Sequence, residues 1–593
     1  MNVSAFFIYM GKRTTGEEVM NSQKLENSLN LALDADEEEL RKSASLRTGY
    51  LQEEKKWELI IRYYGEIGWL AERGIQVEEL IGGYGIVTVP ETLIPYISSV
   101  PEIEYVEKPS RLFLESDGAR AASCISQVQG GGAFSDRRDL NLSGRGVITA
   151  IIDSGIDFTH PDFRKEDGTT RILELWDQNL GRVFSKEELD AALELEDREA
   201  AGKMIPSVDV SGHGTAVAGI AAGNGRASGG RYRGVAYESS LLVVKLGNRG
   251  DGFFPWTTEL MRALDFVIRR GQFYNMPVAV NLSFGNNYGS HDGTNLLETY
   301  INDISRFGRS SVVIGTGNEG AGYGHTSGTV KAGEMAEVEL AVGTYETGFS
   351  FQLWKSYVDQ FTISLMTPSG EIAGTVAQPM GTQRMRYGNT QILLYHGFPS
   401  PYSQAQEIYF DFLPQNAYLD SGVWRILIRG EKIVHGRYDL WLPSASTLNS
   451  ATRFLRPDPE ITLTIPSTAA LAISVGAYDD AYQAYADFSG RGFTRLTNQV
   501  KPDLSAPGTD IPAPRPGGGY TRVTGTSFAA PFVTGSAALL MEWGIVNGND
   551  PYLYGEKIKA YLRRGARQVP GMEVWPNPMM GYGRLCVRNS IPE

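Results

Sequence analysis

The sequence predicts an α/β protein built on a mostly parallel sheet, with an all-β domain inserted into it and a small α+β module before it. Continuous apolar, β-branched runs such as VITAIID (147–153) recur along the chain, and helix-like stretches such as 256–271 lie between them. Strands and helices that alternate in this way are typical of a parallel sheet covered on both faces. Between residues 328 and 449 this alternation is replaced by short alternating strand patterns separated by turn residues, which predicts a β-sandwich or jelly roll.

Length, composition and charge narrow the function classes. A chain of 593 residues is too long for one hydrophobic core, so several domains are expected. The net charge of −14 argues against a nucleic-acid partner, which needs clustered Lys and Arg. No apolar run approaches the roughly 18 residues of a membrane span. The first residues place apolar side chains before positive charges, the reverse of a secretory signal.

The N-terminal module contains three predicted strands. These are KWELIIRYYG (56–65), GYGIVTV (83–89) and EIEYVEK (102–108), with short helical stretches between them. The residues before about 50 are polar, include the acidic run DADEEEL (34–40), and are expected to be poorly ordered. A module of this size is small for an independently stable domain.

Further buried-strand runs define the α/β domain. They lie at 240–247, 276–285, 310–318 and 472–479. The predicted domains are 1–115 for the module, 116–327 and 450–593 for the α/β domain, and 328–449 for the insert. The chain has only two cysteines, Cys124 and Cys586, which is too few for a disulfide framework or a Cys-rich zinc site. A single bridge between them stays open, with two isolated thiols as the simpler expectation.

Four polar residues stand where a parallel sheet places its chemistry, at the carboxyl ends of strands or the starts of helices. They are Asp153 after VITAIID, His213 between two glycines, Asn318 after SSVVIGTG, and Ser527 in GTSFAAP before a helix of small residues. Each has a structural alternative: Asp153 and Ser527 can cap helices, His213 can be a structural or surface group, and Asn318 can form a turn. Together they supply a carboxylate, a base, an oxyanion donor and a nucleophile.

The stretches AIIDSGIDFTHPDF, SGHGTAVAG, VVIGTGNEG and GTSFAAPFVTG resemble those of subtilisin-like serine proteases and follow that family's order. The resemblance implies a serine endopeptidase acting on a protein or peptide substrate. In that family's mechanism Ser527 attacks the scissile carbonyl, His213 transfers the proton and Asp153 orients the imidazole. Asn318 would donate to the developing oxyanion.

The resemblance also indicates which residues would contact a substrate, and it raises the question of a calcium site. The segments NLSFG and GTGN are similar to the two walls of the family's substrate cleft, and the expected contacts are Ser283, Phe284, Gly285, Gly315, Thr316 and Gly317. Gly285 is expected to leave room for a substrate side chain, while the alternative for both segments is an ordinary buried strand and turn. Asp162 matches a family calcium ligand, but the loop at 223–234 lacks the usual Asn-rich form, so no metal and no cofactor are expected.

The long insert and the C-terminal end resemble the clostridial Csp germination-protease subset of subtilases, which processes a protein precursor and includes members with broken triads. Here the triad residues are intact. The resemblance implies that residues 1–115 are a propeptide that binds the catalytic domain, and that Ser527 cuts the chain between about Leu112 and Ala122. Because the sequence shows no recognisable signal peptide, we expect a cytoplasmic or spore-associated location rather than classical secretion.

Two other functions stay open at this point. One is a catalytically inactive regulatory or binding protein on the same fold. The other is a carbohydrate-binding protein, for which Trp354, Trp424 and Trp441 of the insert are candidates, although core positions suit them better. For the insert itself we expect a role in holding the catalytic domain rigid.

Overall fold

The computed structural model describes residues 50–51, 54–80, 84–107, 122–129, 140–195, 197–247, 255, 257–376, 381–396, 398–399 and 403–592, together with Lys24, Leu25, Leu29 and Leu33. The chain forms two compact units, Met1–Leu114 and Glu115–Glu593. The acidic run at 34–40 and the predicted cleavage region, apart from Ala122, lie outside the described residues.

The first unit contains an antiparallel sheet and the short α-helix Ile94–Ser99. Its elements are β1 (Tyr50–Leu51), β2 (Lys56–Tyr63), β3 (Gln76–Leu80), β4 (Tyr84–Pro90), α1 (Ile94–Ser99) and β5 (Ile103–Glu107). The strand order is β1-β2-β4-β3, with β5 paired to β2. The sequence did not predict β3, because QVEEL is polar and an edge strand needs few apolar residues.

The second unit is built on a large sheet whose central strands are parallel, as predicted. Its strands are β6 (Ile148–Asp153), β7 (Ile172–Asp177), β8 (Arg182–Ser185), β9 (Ser240–Lys245), β10 (Val278–Leu282), β11 (Ser310–Gly315), β23 (Ile473–Asp479), β24 (Ala484–Tyr485) and β25 (Leu504–Pro507). They run in the order β24-β23-β11-β10-β6-β9-β7-β8, and β25 pairs with β23. A separate hairpin joins β26 (Ile511–Pro514) to β27 (Tyr520–Val523).

Helices cover both faces of this sheet. They are α2 (Lys186–Leu193), α3 (Arg198–Met204), α4 (His213–Ala222), α5 (Thr257–Phe273), α6 (Leu296–Ser305), α7 (Thr526–Met541), α8 (Gly555–Gly565) and α9 (Val587–Ser590). The segment Thr526–Val546 is long and apolar enough to cross a membrane by composition, but most of it is buried within this unit. Its small residues permit that burial: a Cβ on Gly535 would lie 2.4 Å from the Cβ of Val235.

The inserted sandwich consists of two antiparallel sheets that share one apolar core. One sheet runs β12 (His325–Thr329), β21 (Arg437–Trp441), β14 (Phe349–Ser356), β19 (Ala405–Pro414), β18 (Thr390–His396) and β17 (Gly381–Tyr387). The other runs β16 (Ile372–Thr375), β15 (Gln360–Met366), β20 (Gly422–Lys432), β13 (Met335–Val342) and β22 (Arg453–Phe454). An all-β sandwich in this part of the chain agrees with the strand patterns, and the jelly-roll designation stays a prediction.

The tryptophans of the sandwich weigh against a carbohydrate-binding face. Trp424 and Trp441 are each 1% exposed, so neither ring can stack on a sugar. Trp354 is half-buried, and its Nε1 donates to Gln352 Oε1 at 3.1 Å.

Cys124 and Cys586 form a disulfide, so the expectation of two isolated thiols is wrong. The reason is a long-range contact that the sequence does not reveal. The residues around Cys124 lie beside the start of α9, where the N–H of Val587 donates to the carbonyl of Ser123 at 3.0 Å. The bridge ties the beginning of the second unit to its end.

Candidate active site

The end of β6 and the start of α4 bring a carboxylate and an imidazole together. His213 Nδ1 lies 2.7 Å from Asp153 Oδ1, and the N–H of Ser154 donates to the same oxygen at 2.7 Å. Asp153 is fully buried and His213 is half-buried. The approach depends on Gly214, since a Cβ there would lie 2.2 Å from the carbonyl oxygen of Gly155.

This environment makes His213 a stronger base than an ordinary histidine. Burial lowers the pKa of the imidazole, but the charge of Asp153, the hydrogen bond to Asp153 and the charge of Asp209 raise it, and the net shift is upward. A carboxylate on Nδ1 also leaves Nε2 as the atom that can accept a proton.

Ser527 is the second residue of α7, and it does not cap that helix. The helix begins at Thr526 after Gly525, and no side chain forms a cap hydrogen bond there. Ser527 Oγ donates to the carbonyl of Ser283 at 3.5 Å, while Ser283 Oγ donates to the carbonyl of Ser527 at 3.0 Å. Phe528 follows Ser527 in the chain, and the centre of its ring lies 5.1 Å from that of the His213 ring. The start of α7 therefore lies beside the imidazole.

Within the described part of the chain, no hydrogen bond joins Ser527 to His213. In proteins without a bound substrate such catalytic contacts are often long or poorly aligned and shorten when substrate binds. Ser527 and His213 therefore lie at the same edge of the sheet without a hydrogen bond between their side chains.

Asn318 presents its amide nitrogen at the start of α7. Its Oδ1 accepts from the N–H of Thr526 at 3.0 Å and from Thr526 Oγ1 at 3.2 Å. Because these two donors occupy the oxygen, the NH₂ group lies on the opposite side, where a Cβ on Gly525 would be 3.3 Å from Nδ2. Asn318 is exposed, so a substrate can reach this donor. The N–H of Ser527 belongs to the first helical turn, which has no intrahelical acceptor for it.

The sequence did not single out Asp209, which orders the loop before His213. Its Oδ1 accepts from Ser154 Oγ at 2.8 Å and from the N–H of Gly212 at 3.0 Å. Its Oδ2 accepts from both the N–H and Oγ1 of Thr215, at 2.8 and 2.7 Å. Asp209 is 2% exposed and so links β6 and α4 from inside the protein. An acidic residue just before a helix start was the one signal for it in the sequence.

Of the predicted substrate contacts, one group adjoins Ser527 and His213. Ser283 exchanges hydrogen bonds with Ser527, and the half-buried Phe284 ring lies 6.2 Å from the His213 ring. The structure gives a different reason for glycine at 285. A Cβ there would lie 2.6 Å from Thr464 Oγ1, so packing against Thr464 already requires a glycine here. Room for a substrate side chain at Gly285 stays a prediction.

The second group, at 315–317, supports the loop that carries Asn318. The N–H of Thr316 donates to the carbonyl of Val475 at 3.0 Å, and its own carbonyl accepts from Thr464 N at 2.9 Å. Gly315 lies against Thr526, and Gly317 has a φ of 83°. Substrate contact by Gly315, Thr316 and Gly317 stays a prediction.

Asp162 already has protein partners for both carboxylate oxygens. Its Oδ1 accepts from the N–H of Ala227 at 2.9 Å, and its Oδ2 accepts from Tyr520 Oη at 2.7 Å. Among the described residues, no group of three or more His, Cys, Asp or Glu side chains is arranged to hold a metal ion. These hydrogen bonds supply a stabilising role for Asp162 that needs no calcium.

A metal chelator is therefore expected to leave the melting temperature unchanged. Tyr520→Phe is expected to cost about 1–3 kcal/mol of stability, because it leaves a buried carboxylate oxygen without its donor. Differential scanning calorimetry measures both effects. Tyr232→Phe is the matched control, since that ring packs 4.6 Å from the Tyr520 ring. A chelator that lowers the melting temperature by several degrees would contradict this account.

Two family models match the chain. The model described as "Subtilase family" matches residues 144–409 and 449–583, which include Asp153, His213, Asn318 and Ser527. The model described as "Csp protease B prodomain" matches residues 23–110, which lie within the first unit.

Comparison with individual proteins supports the same family. The solved structure of the Clostridium perfringens CspB protease is 36% identical, with a TM-score of 0.75, and the match covers 80% of this chain and 96% of that one. The minor extracellular protease Vpr of Bacillus subtilis is 24% identical over 77% of this chain and 52% of its own length. The major intracellular serine protease of the same organism is 27% identical over 40% of this chain and 61% of its own length. The chain thus spans only about half to three fifths of these two relatives.

Proposed function

The chain belongs to the subtilase family, and from that premise we propose that it is a serine endopeptidase with Ser527 as its nucleophile. The observation that supports the proposal best is the 2.7 Å pair of Asp153 and His213 placed beside the start of the helix that carries Ser527. A buried carboxylate that holds an imidazole next to a serine is the arrangement that activates a hydroxyl for attack.

The proposed mechanism assigns each step to a named group. Ser527 Oγ forms a bond to the scissile carbonyl carbon while His213 Nε2 takes its proton. Asn318 Nδ2 and the N–H of Ser527 stabilise the oxyanion. The C–N bond then breaks, and the leaving amine receives the proton from Nε2. Water then attacks the acyl carbon while His213 Nε2 takes its proton, the bond to Ser527 Oγ breaks, and Oγ receives that proton from Nε2. In both halves of the reaction Asp153 accepts from the Nδ1–H of the His213 imidazolium and stabilises it.

An inactive regulatory protein of the same fold is the second candidate. It is favoured by one observation, the missing hydrogen bond between His213 and Ser527, whose Oγ turns toward Ser283 instead. Turnover of a peptide by the wild type that disappears in Ser527→Ala would exclude this candidate.

We further propose that the protein is made as a zymogen and removes its own N-terminal segment. The match of residues 23–110 to a protease prodomain supports this proposal. After self-processing, the protein would cleave a separate protein or peptide, which can be the precursor of another protein. The intact mass of purified wild type beside Ser527→Ala tests self-processing. A cut near residues 112–122 in the wild type alone supports the proposal. Uncut chains of both proteins, with masses that differ only by the substituted side chain, would contradict self-processing.

The pH dependence of activity should follow His213. Its pKa is raised above the ordinary value of 6.5, and only the neutral imidazole accepts a proton. We therefore expect kcat/KM to fall as the pH is lowered through a midpoint above 6.5. Asp209→Asn should move that midpoint down, because the charge of Asp209 contributes to the upward shift. A kcat/KM profile with its acid midpoint below 6.5 would contradict this reading.

A further inference from the structure

A cavity of about 730 Å³ lies between the inserted sandwich and the large sheet. One wall is the segment Phe284–Tyr288, which follows β10. The opposite wall comes from the sandwich and includes Phe349, Ser350, Asp411 and Leu413. Its size is within the range of sites that take a large side chain or a small ligand.

This cavity adjoins the candidate active site through Phe284. Phe284 lines it and also lies 6.2 Å from the His213 ring. The residue before it, Ser283, exchanges hydrogen bonds with Ser527. An extended peptide lying along this segment would therefore reach the cavity with a side chain beyond the reacting residue.

Direct contacts hold the sandwich wall of the cavity against the segment that follows β10. Tyr288 Oη and Ser350 Oγ are 2.9 Å apart, and the N–H of Gly289 donates to Gln352 Oε1 at 2.8 Å. A little further along, the rings of His291 and Trp441 stack at 4.2 Å. These contacts fix the distance between the two walls, so the sandwich can take part in selecting a substrate.

Among the described residues, the lining combines apolar surface with the carboxyl group of Asp411. The apolar part includes Leu246, Leu260, Leu297, Leu413, Leu448 and Ile465. Asp411 is half-buried, and within the described residues no hydrogen bond or ion pair reaches its carboxylate. Burial raises the pKa of this carboxyl, and a cation beside it would favour the ionised form. A side chain with a long apolar stem and a positive end fits both features.

We propose that the insert is a specificity element, in which Asp411 binds the cationic end of an arginine or lysine of the peptide substrate at a position away from the scissile bond. The inference rests on the proposed function, because it needs a peptide in the cleft. It adds to the expected clamping role of the insert a role in choosing the substrate.

Matched peptide pairs test this inference. Arginine and its neutral isostere citrulline are placed in turn at each position of a fluorogenic peptide, and kcat/KM is measured for each pair. At one position the wild type should favour arginine about tenfold, the size expected of a hydrogen bond to a charged group. Asp411→Asn should bring that ratio to about one. Glu407→Gln is the matched control: it removes the same charge on the same face of β19, outside the cavity, and should keep the ratio.

Equal rates for arginine and citrulline at every position in the wild type would overturn the proposal, as would a ratio that survives in Asp411→Asn. A second readout separates this result from failure of the proposed function. Fluorescence anisotropy on the full Ser527→Ala chain gives the Kd of each labelled peptide without turnover. A preference for arginine that is lost when Asp411→Asn is added supports the proposal even if the wild type cleaves nothing, and equal Kd values overturn it.

Discussion

Ser527→Ala is expected to remove measurable peptidase activity, with kcat lowered by about 10⁶-fold. The substitution deletes the atom that forms the acyl-enzyme. The neighbouring hydroxyl at the start of α7, that of Thr526, is buried and already donates to Asn318. Hydrolysis of a chromogenic peptide measures the effect.

The matched control for this substitution is Ser536→Ala. It makes the same change in the same helix, at a buried residue whose Oγ donates to the carbonyl of Phe532 at 2.6 Å. This control should keep activity of the wild-type order. Turnover in Ser527→Ala equal to that of the control would show that another residue performs the attack.

Asp153→Asn is expected to lower kcat about 10⁴-fold while the protein stays folded. An amide NH₂ facing Nδ1 favours the imidazole tautomer whose proton is on Nε2, and that tautomer cannot accept the proton of Ser527. Circular dichroism checks the fold and peptide hydrolysis measures kcat.

Asp157→Asn provides the control for the loss of a nearby carboxylate. Asp157 follows the same strand, but its carboxylate accepts from Thr159 and from the N–H of Gly517 rather than from His213. Its kcat should stay within about threefold of the wild type, as expected where the reacting groups are untouched. A similar loss in both variants would mean that charge in this region, and not the tautomer of His213, supports activity.

Local sequence was sufficient to find the strands of the large sheet and the residues that end them. VITAIID is buried on both faces of the sheet, and that requirement shows directly in its composition. Glycines beside His213 marked a close approach, which the structure places between Gly214 and Gly155. The candidate site could be predicted because its members stand at strand and helix ends with distinctive neighbours.

What sequence could not supply depends on contacts between distant segments. The pairing of Cys124 with Cys586 spans 462 residues, and no local pattern predicts it. Asp209 is one of many acidic residues in loops until its five hydrogen bonds are known. The sandwich wall opposite Phe284 likewise depends on how two domains pack. The cleavage region and the cytoplasmic or spore-associated location stay predictions.

The identity of the nucleophile is tested most directly by a fluorophosphonate probe, which forms a covalent bond to an activated serine. The labelled wild type is digested, and mass spectrometry locates the adduct. The proposed mechanism predicts one adduct, on the peptide that contains Ser527, and none when the same experiment is done with Ser527→Ala. An unlabelled wild-type chain, or an adduct on another serine that persists in Ser527→Ala, would contradict it.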